Sequence, residues 1–305
     1  MLPTELTAKK YIHYNMKPQP VDYKNQRKNI IGLIVPRINH NFFSNVIHGI
    51  ESISNVHGYN LIICQSNESL NGEVDKIQAL LEANVAGVIM SISSQTKNSV
   101  HIQNIINAGI PLVQLDRVNE DLYISKVVND NESATFDSTK HLIEKGYKRI
   151  AYFSGPVYLK NYKDRLNGYK RAIVESNLPL DESLICENVI TQELGIVAAR
   201  ELLSRKDCPD AICAAGDFSA LGALEVIKDR NILVPQEMGI VGFSNEPFTM
   251  CITPSLTTLE QYSVDMGRNA AILLLDQIST PGCEPKTITL KPRLIVRNST
   301  NRTLN

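Results

Sequence analysis

The residues best placed for chemistry stand in a polar loop behind the first strongly apolar run of the chain. Ile30-Ile31-Gly32-Leu33-Ile34-Val35 carries no polar side chain, and Pro36 ends it. Asn39, His40 and Asn41 follow, then the adjacent rings Phe42 and Phe43. A run so rich in β-branched residues suits a strand buried on both faces of a parallel sheet. Open α/β sheets bind ligands at the carboxyl ends of their strands, which makes this loop a candidate binding site.

Signatures of covalent or acid–base chemistry are missing. No G-x-G-x-x-G follows a strand and no G-x-x-x-x-G-K-[ST] occurs, so neither a dinucleotide nor a P-loop phosphate is expected. Gly242-Phe243-Ser244-Asn245-Glu246 has the outline of a nucleophile elbow without its closing glycine, and Ser244 reads as a polar group at a strand end. His13, His40, His48, His57, His101 and His141 show no metal spacing. The 6 cysteines are scattered, with no C-x-x-C pair, and read as reduced structural thiols. The expectation is a binding protein: no enzyme, no catalytic residue, no metal and no cofactor.

The elements that would hold the candidate loop alternate regularly. After the strand at 30–35 comes a helix with Phe43, Val46, Ile47, Ile50 and Ile53 on one face and Gly58 at its end. Strands are expected at 61–64, 86–90, 111–115 and 127–128. The helix between the first two of these should bury Val74, Ile77, Leu80 and Leu81. A second series has strands at 150–153, near 185, at 211–214 and at 239–243, with helices at about 165–175, 197–203 and 220–228 between them. A helix over 266–278 and strands at 287–290 and 294–296 end the chain. Such alternation predicts parallel sheets with right-handed crossovers. The fold class expected is α/β, with two similar parallel-sheet subdomains around a ligand cleft.

Composition agrees with a globular chain of 305 residues, 43% hydrophobic and 21% charged. No apolar run reaches the length of a membrane span, and the first residues carry no signal-peptide pattern, so a cytoplasmic protein is expected. The net charge of −1 excludes a protein that coats nucleic acid over its whole surface. Before residue 29, however, lie Lys9, Lys10, Lys17, Lys24, Arg27 and Lys28 against Glu5 and Asp22. That basic arm reads either as a nucleic-acid contact or as a solvated tail. Residues 4–14 are helix-compatible, and Lys17-Pro18-Gln19-Pro20 stops them.

Several stretches resemble one family when taken in order. Arg165-Leu166-Asn167-Gly168-Tyr169, the turn from Ala211 to Gly222 with Asp217, and Val234-Pro235-Gln236-Glu237-Met238-Gly239-Ile240-Val241-Gly242-Phe243 are similar to segments of the LacI-type bacterial transcription regulators. So are Asn29 through Phe43, Pro254 to Gln261 and the ending Pro292 to Ser299. The resemblance implies a periplasmic-binding-protein-like effector domain of type I. Its subdomains would be 30–131 plus 262–288 and 132–261 plus 289–305. Residues 1–29 would be the remnant of a DNA-binding domain and its hinge linker, the rest of the helix-turn-helix being absent from this chain.

It also implies a ligand site. Phe42 and Phe43 would offer apolar faces, although adjacent residues at a helix start do not point the same way. Asp116, Arg117 and Arg165, the last at a helix start across the cleft, would hold hydroxyls. Asn39, Asn129, Ile190, Ser244 and Gln261 complete the expected set, while Asp217 is read as a helix N-cap. Relatives often carry Asn at the position of Gly216 and Asp at that of Ser244, so the second half of the cleft departs from their pattern. Lys9, Lys10, Lys17, Tyr23, Lys24 and Arg27 are candidate DNA contacts. The function implied is a ligand-responsive repressor, a homodimer whose small-molecule effector, a carbohydrate by this resemblance, changes its affinity for a DNA operator. The alternative is a solute-binding protein for uptake or chemosensing.

Overall fold

The computed structural model describes residues 29–302. The candidate DNA contacts before residue 29 therefore lie outside the described residues. Strand β1 (Ile30–Val35) stands second from one edge of a 6-stranded parallel sheet. Ile31, Leu33, Ile34 and Val35 are fully buried, as expected of a strand covered on both faces. It pairs with β2 (Asn60–Gln65) on one side and with β3 (Gly87–Met90) on the other. Then come β4 (Leu112–Leu115) and β5 (Ser125–Asn129), and β11 (Thr287–Leu290) closes the far edge in parallel with β5. Helices α1 (Asn41–Ser54), α2 (Leu70–Glu82) and the short α3 (Gln103–Asn107) form the crossovers.

The chain leaves this first lobe after Asn129. In the second lobe, β6 (Ile150–Phe153) lies between β7 (Ile185–Cys186) and β8 (Ala211–Ala214), with β9 (Gly239–Val241) outermost in a 4-stranded parallel sheet. Its helices are α4 (Asn131–Glu144), α5 (Lys160–Glu175), α6 (Gln192–Leu202) and α7 (Asp217–Asp229). Strand β10 (Thr258–Glu260) leads back to α8 (Ser263–Ser279) in the first lobe. After β11 the chain crosses again into β12 (Arg293–Ile295), which pairs antiparallel with β10. Leu290, beyond the crossing expected at 288, still pairs with Asn129 of the first sheet.

Helix α8 packs along α1 with their backbones in contact. A Cβ added at Gly49 would lie 2.1 Å from the Val264 carbonyl oxygen, and one at Gly267 would lie 2.2 Å from that of Val46. Only glycine fits at this crossing. The apolar face of α1, with Val46 and Ile50 fully buried, then closes over the sheet.

Several expectations need correction. Val74 is 39% exposed, and its neighbour Glu73 is the buried residue of that turn. Burial is possible there because the Glu73 carboxylate accepts from the Ser93 amide, the Thr96 hydroxyl and His101 Nε2. Helix α5 begins at Lys160, so Arg165 stands one turn inside it rather than at its start. Helix α7 begins at Asp217, with Gly216 as its N-cap, so Asp217 is not the cap. The strand expected to run to Phe243 stops at Val241, because Ser244 and Asn245 adopt left-handed φ values of 123° and 51°.

Candidate functional site

The cleft between the lobes holds a cavity of about 430 Å³ at the carboxyl ends of both sheets. Phe42, Phe43, Asp116, Arg117, Arg165, Ile190, Ser244 and Gln261 all line it. Asn39 does not; it stands exposed on the loop before α1. Asn129 does not reach the cavity either, but lies beneath it and donates from Nδ2 to Gln261 Oε1 at 3.1 Å.

On the first lobe, the turn after β2 and the turn after β4 carry the charges. Arg117 Nη1 donates to Glu68 Oε2 at 2.7 Å, and the Ser94 amide donates to the same oxygen at 2.7 Å. Burial opposes the Glu68 charge, yet Arg117 and the Ser94 contacts outweigh it and hold the carboxyl below its usual range. Asp116 adopts φ 56° and is 8% exposed. Burial pushes its carboxyl up, against the pull of Arg117 and Arg165, while Asn161 hydrogen-bonds to it. Phe42 and Phe43 solve the problem of adjacent rings at one helix start by meeting edge to face, with centroids 5.0 Å apart.

Arg165 faces these groups from the second lobe. Its Nε donates to Asn131 Oδ1 at 2.8 Å, Nη1 to the Ala215 carbonyl at 2.9 Å and Nη2 to Gln261 Oε1 at 3.2 Å. The guanidinium carbon stands 3.6 Å from the Phe243 ring centroid. Burial lowers its pKa, with Tyr162 and Asp116 acting against that shift. Its neighbour Asp164 does not share this arrangement but pairs with Lys160 at 2.9 Å. Gln261 also donates from Nε2 to Ser244 Oγ at 2.9 Å, which ties the crossing at β10 to both halves of the site.

Residues without an assigned role in the sequence reading also belong here. Glu68, Asn161, Tyr162, Phe218 and Glu246 line the cavity. The rule that strand ends bear ligand groups points to Glu68, just past β2; nothing in the sequence marks Glu246. Its carboxylate faces the Asn41 and Phe42 amides at the amino end of α1, where His40 supplies no side-chain cap. Asp217 accepts from the Glu246 amide at 2.8 Å and from Thr258 Oγ1 at 2.6 Å. Burial pushes its carboxyl up to about 7. Among the described residues no cluster of three or more His, Cys, Asp or Glu could hold a metal, and no helix is long and apolar enough to cross a membrane.

Further contacts span the mouth of the cleft. Lys160 Nζ lies 3.4 Å from Glu120, the Tyr158 hydroxyl donates to the Ser94 carbonyl, and His40 meets Phe218 at 5.3 Å between ring centroids. Two parallel-sheet lobes, crossed repeatedly by the chain and joined over a polar cleft, define a bilobal ligand-binding protein of the periplasmic-binding-protein-like class.

Comparison with known proteins agrees. The family description "periplasmic binding protein-like domain" matches residues 139–300. The chain is 31% identical to catabolite control protein A of Priestia megaterium over 271 residues, covering 88% of this chain and 81% of that protein. It is 30% identical to the HTH-type transcriptional repressor PurR of Vibrio atlanticus over 275 residues, covering 90% of this chain and 82% of that one. A solved complex of the transcriptional regulator CelR with cellobiose superposes with a TM-score of 0.82 at 29% identity, covering 90% of this chain and 85% of that one. The chain belongs to the LacI-type family of transcription regulators. These relatives are regulators rather than enzymes.

Proposed function

We propose that this protein is a ligand-responsive transcription regulator working in the cytoplasm, and that the cleft binds a small polyhydroxylated effector, a carbohydrate. The observation that carries the reading is the placement of Arg165. A guanidinium buried to 4% exposure, held by neutral partners, faces the buried Asp116 carboxylate of the other lobe. Charged donors and acceptors converging from both lobes suit a ligand that is all hydroxyls. Phe42 and Phe43 supply the apolar wall that its C–H faces require. Asp116, Arg117 and Gln261 bind hydroxyls beside Arg165, and Ile190 and Ser244 complete the wall. Asn129 acts through Gln261.

An effector touching both lobes stabilises the closed cleft by population shift. In a homodimer, closure moves the paired first lobes and the DNA-binding arms joined to residue 29, changing the fit to an operator. Calorimetry against a carbohydrate panel tests the site. Arg165→Ala should weaken the bound sugar by about 10- to 150-fold, the loss of a charged hydrogen bond of roughly 1.5–3 kcal/mol. Undiminished affinity in that variant would remove Arg165 from the site.

A further inference from the structure

A second, open cavity of about 710 Å³ lies at the edge of the first lobe that faces away from the cleft. Tyr59 and Ala86, which directly precede β2 and β3, line it at the amino edge of the sheet. His57, in the turn after α1, borders it too, as do Leu275, Asp276, Ile278 and Ser279 from the last turns of α8. Beyond their crossing at Gly49 and Gly267, the two helices therefore leave an opening between their carboxyl ends.

The lining is amphipathic. Tyr59, Ala86, Leu275 and Ile278 are half-buried and give it an apolar floor. Asp276 adds a negative charge. Its one ion-pair partner among the described residues is Lys286, 3.9 Å away, and both side chains are more than half exposed, so that pair is worth little. An apolar floor beside a carboxylate suits an aromatic group flanked by a cation.

The chain itself delivers such a group to this place. The Asn29 carbonyl accepts from the Asn60 amide at 2.9 Å, and the Ile30 carbonyl from the Ala86 amide at 2.7 Å. The segment before residue 29 thus joins the sheet beside the cavity wall. Within residues 21–28, Lys24, Arg27 and Lys28 oppose only Asp22, and Tyr23 is the only aromatic of residues 15–28. Tyr23 stands six residues before Asn29, a reach of roughly 20 Å, ample to turn back into the cavity. A tether so short holds the segment at an effective concentration in the millimolar range, so a groove of modest affinity fills from its own chain before any untethered partner.

We infer that this cavity is the docking site of the chain's own linker, residues 21–28, with Tyr23 against Leu275 and Ile278 and Lys24 beside Asp276. The docked linker withholds Tyr23 and Lys24 from nucleic acid, a consequence that rests on the regulator reading; the docking itself does not.

The sequence has no tryptophan, so Tyr23→Trp in the full chain places a single reporter in the linker. Excited beyond the tyrosine band, its emission should be blue-shifted relative to a free peptide 15–29 with the same substitution. With the linker docked at least about two-thirds of the time, quenching by acrylamide should fall about threefold below that of the peptide. Asp276→Lys, at an exposed helix carboxyl end where a cation is favoured, and Ile278→Glu should each return quenching to the peptide value. The exposed position of Asp276 keeps the test valid should Ile278→Glu unfold. A reporter as accessible in the full chain as in the peptide, or shielding indifferent to both substitutions, would overturn the inference. Shielding that fades on dilution would place the linker against a second copy and overturn it as well. None of these measurements involves effector or DNA, so their failure leaves the proposed regulator standing.

Discussion

Asp217 has the strongest reason to resist ionisation among the acids lining the cleft. It is 1% exposed, and its carboxyl is raised to about 7, first by burial and then by Glu246, against hydrogen bonds from Thr258 and the Glu246 amide. The unfolded chain releases this proton near the ordinary carboxylate value, about 4. Between that pH and about 7 the folded state binds more protons than the unfolded one, so stability falls as pH rises through this window. The loss attributable to one such group is on the order of 4 kcal/mol at most. Asp217→Asn should flatten this slope in urea titrations run from pH 4 to pH 7. An unchanged slope would show that the carboxyl titrates normally. Glu246 and Asp116 are raised too, mainly by burial, so the residual slope in the variant carries their joint contribution.

Among elements, α1 matters most, because it carries Phe42 and Phe43 at its amino end and is held in place by α8. Contact between the two backbones at Gly49 and Gly267 fixes the height of α1 over the sheet. A methyl group at either position has nowhere to go, since the atom it meets is a carbonyl oxygen rather than a flexible side chain. Gly267→Ala should lower stability by roughly 1–3 kcal/mol, the usual range for overpacking, measured by denaturant unfolding. It should also weaken effector binding, because α1 shifts with its two rings. Full affinity with lowered stability would mean that the rings are positioned independently of the helix crossing. In the same lobe, the loop after β3 is pinned by acids instead. Glu73 holds Ser93, Thr96 and His101, and Glu68 holds Ser94.

At the scale of the whole molecule, the proposed closure would bend the chain at three crossings, after Asn129, at Glu260 and after Leu290. Strands β10 and β12 pair there, and Gln261 accepts from Asn129 and Arg165 at once. Closure is then completed at the mouth by Lys160 with Glu120 and by Tyr158 with the Ser94 carbonyl. Tyr158 is 53% exposed and does not line the cavity, so its hydroxyl contributes to closure without touching the ligand. A net hydrogen bond of about 0.5–1.5 kcal/mol that exists only in the closed form shifts apparent effector affinity by roughly two- to tenfold. Tyr158→Phe should weaken the effector by that amount in calorimetry, with a larger radius of gyration by small-angle scattering in its absence. An unchanged affinity would mean that this contact forms equally in the open state.

Much of this was legible in the residue order, for reasons that differ by element. Strands buried on both faces, such as Ile30–Val35 and Ile150–Phe153, announce themselves because every side chain must be apolar. Arg165, Asp116 and the paired phenylalanines follow from the family's motifs, and the cavity brings them together. Local patterning could not show that Glu73 rather than Val74 would be buried, because the partners that make burial tolerable lie 20 and more residues further on. The same holds for Asp217, whose Thr258 and Glu246 partners come from other elements, and for Glu246 itself, which faces a helix end in the opposite lobe. Strand identity and helix faces depend on near neighbours and are written along the chain. The charge state of a buried acid depends on what the other lobe and the other helices place around it, and only the tertiary structure decides that.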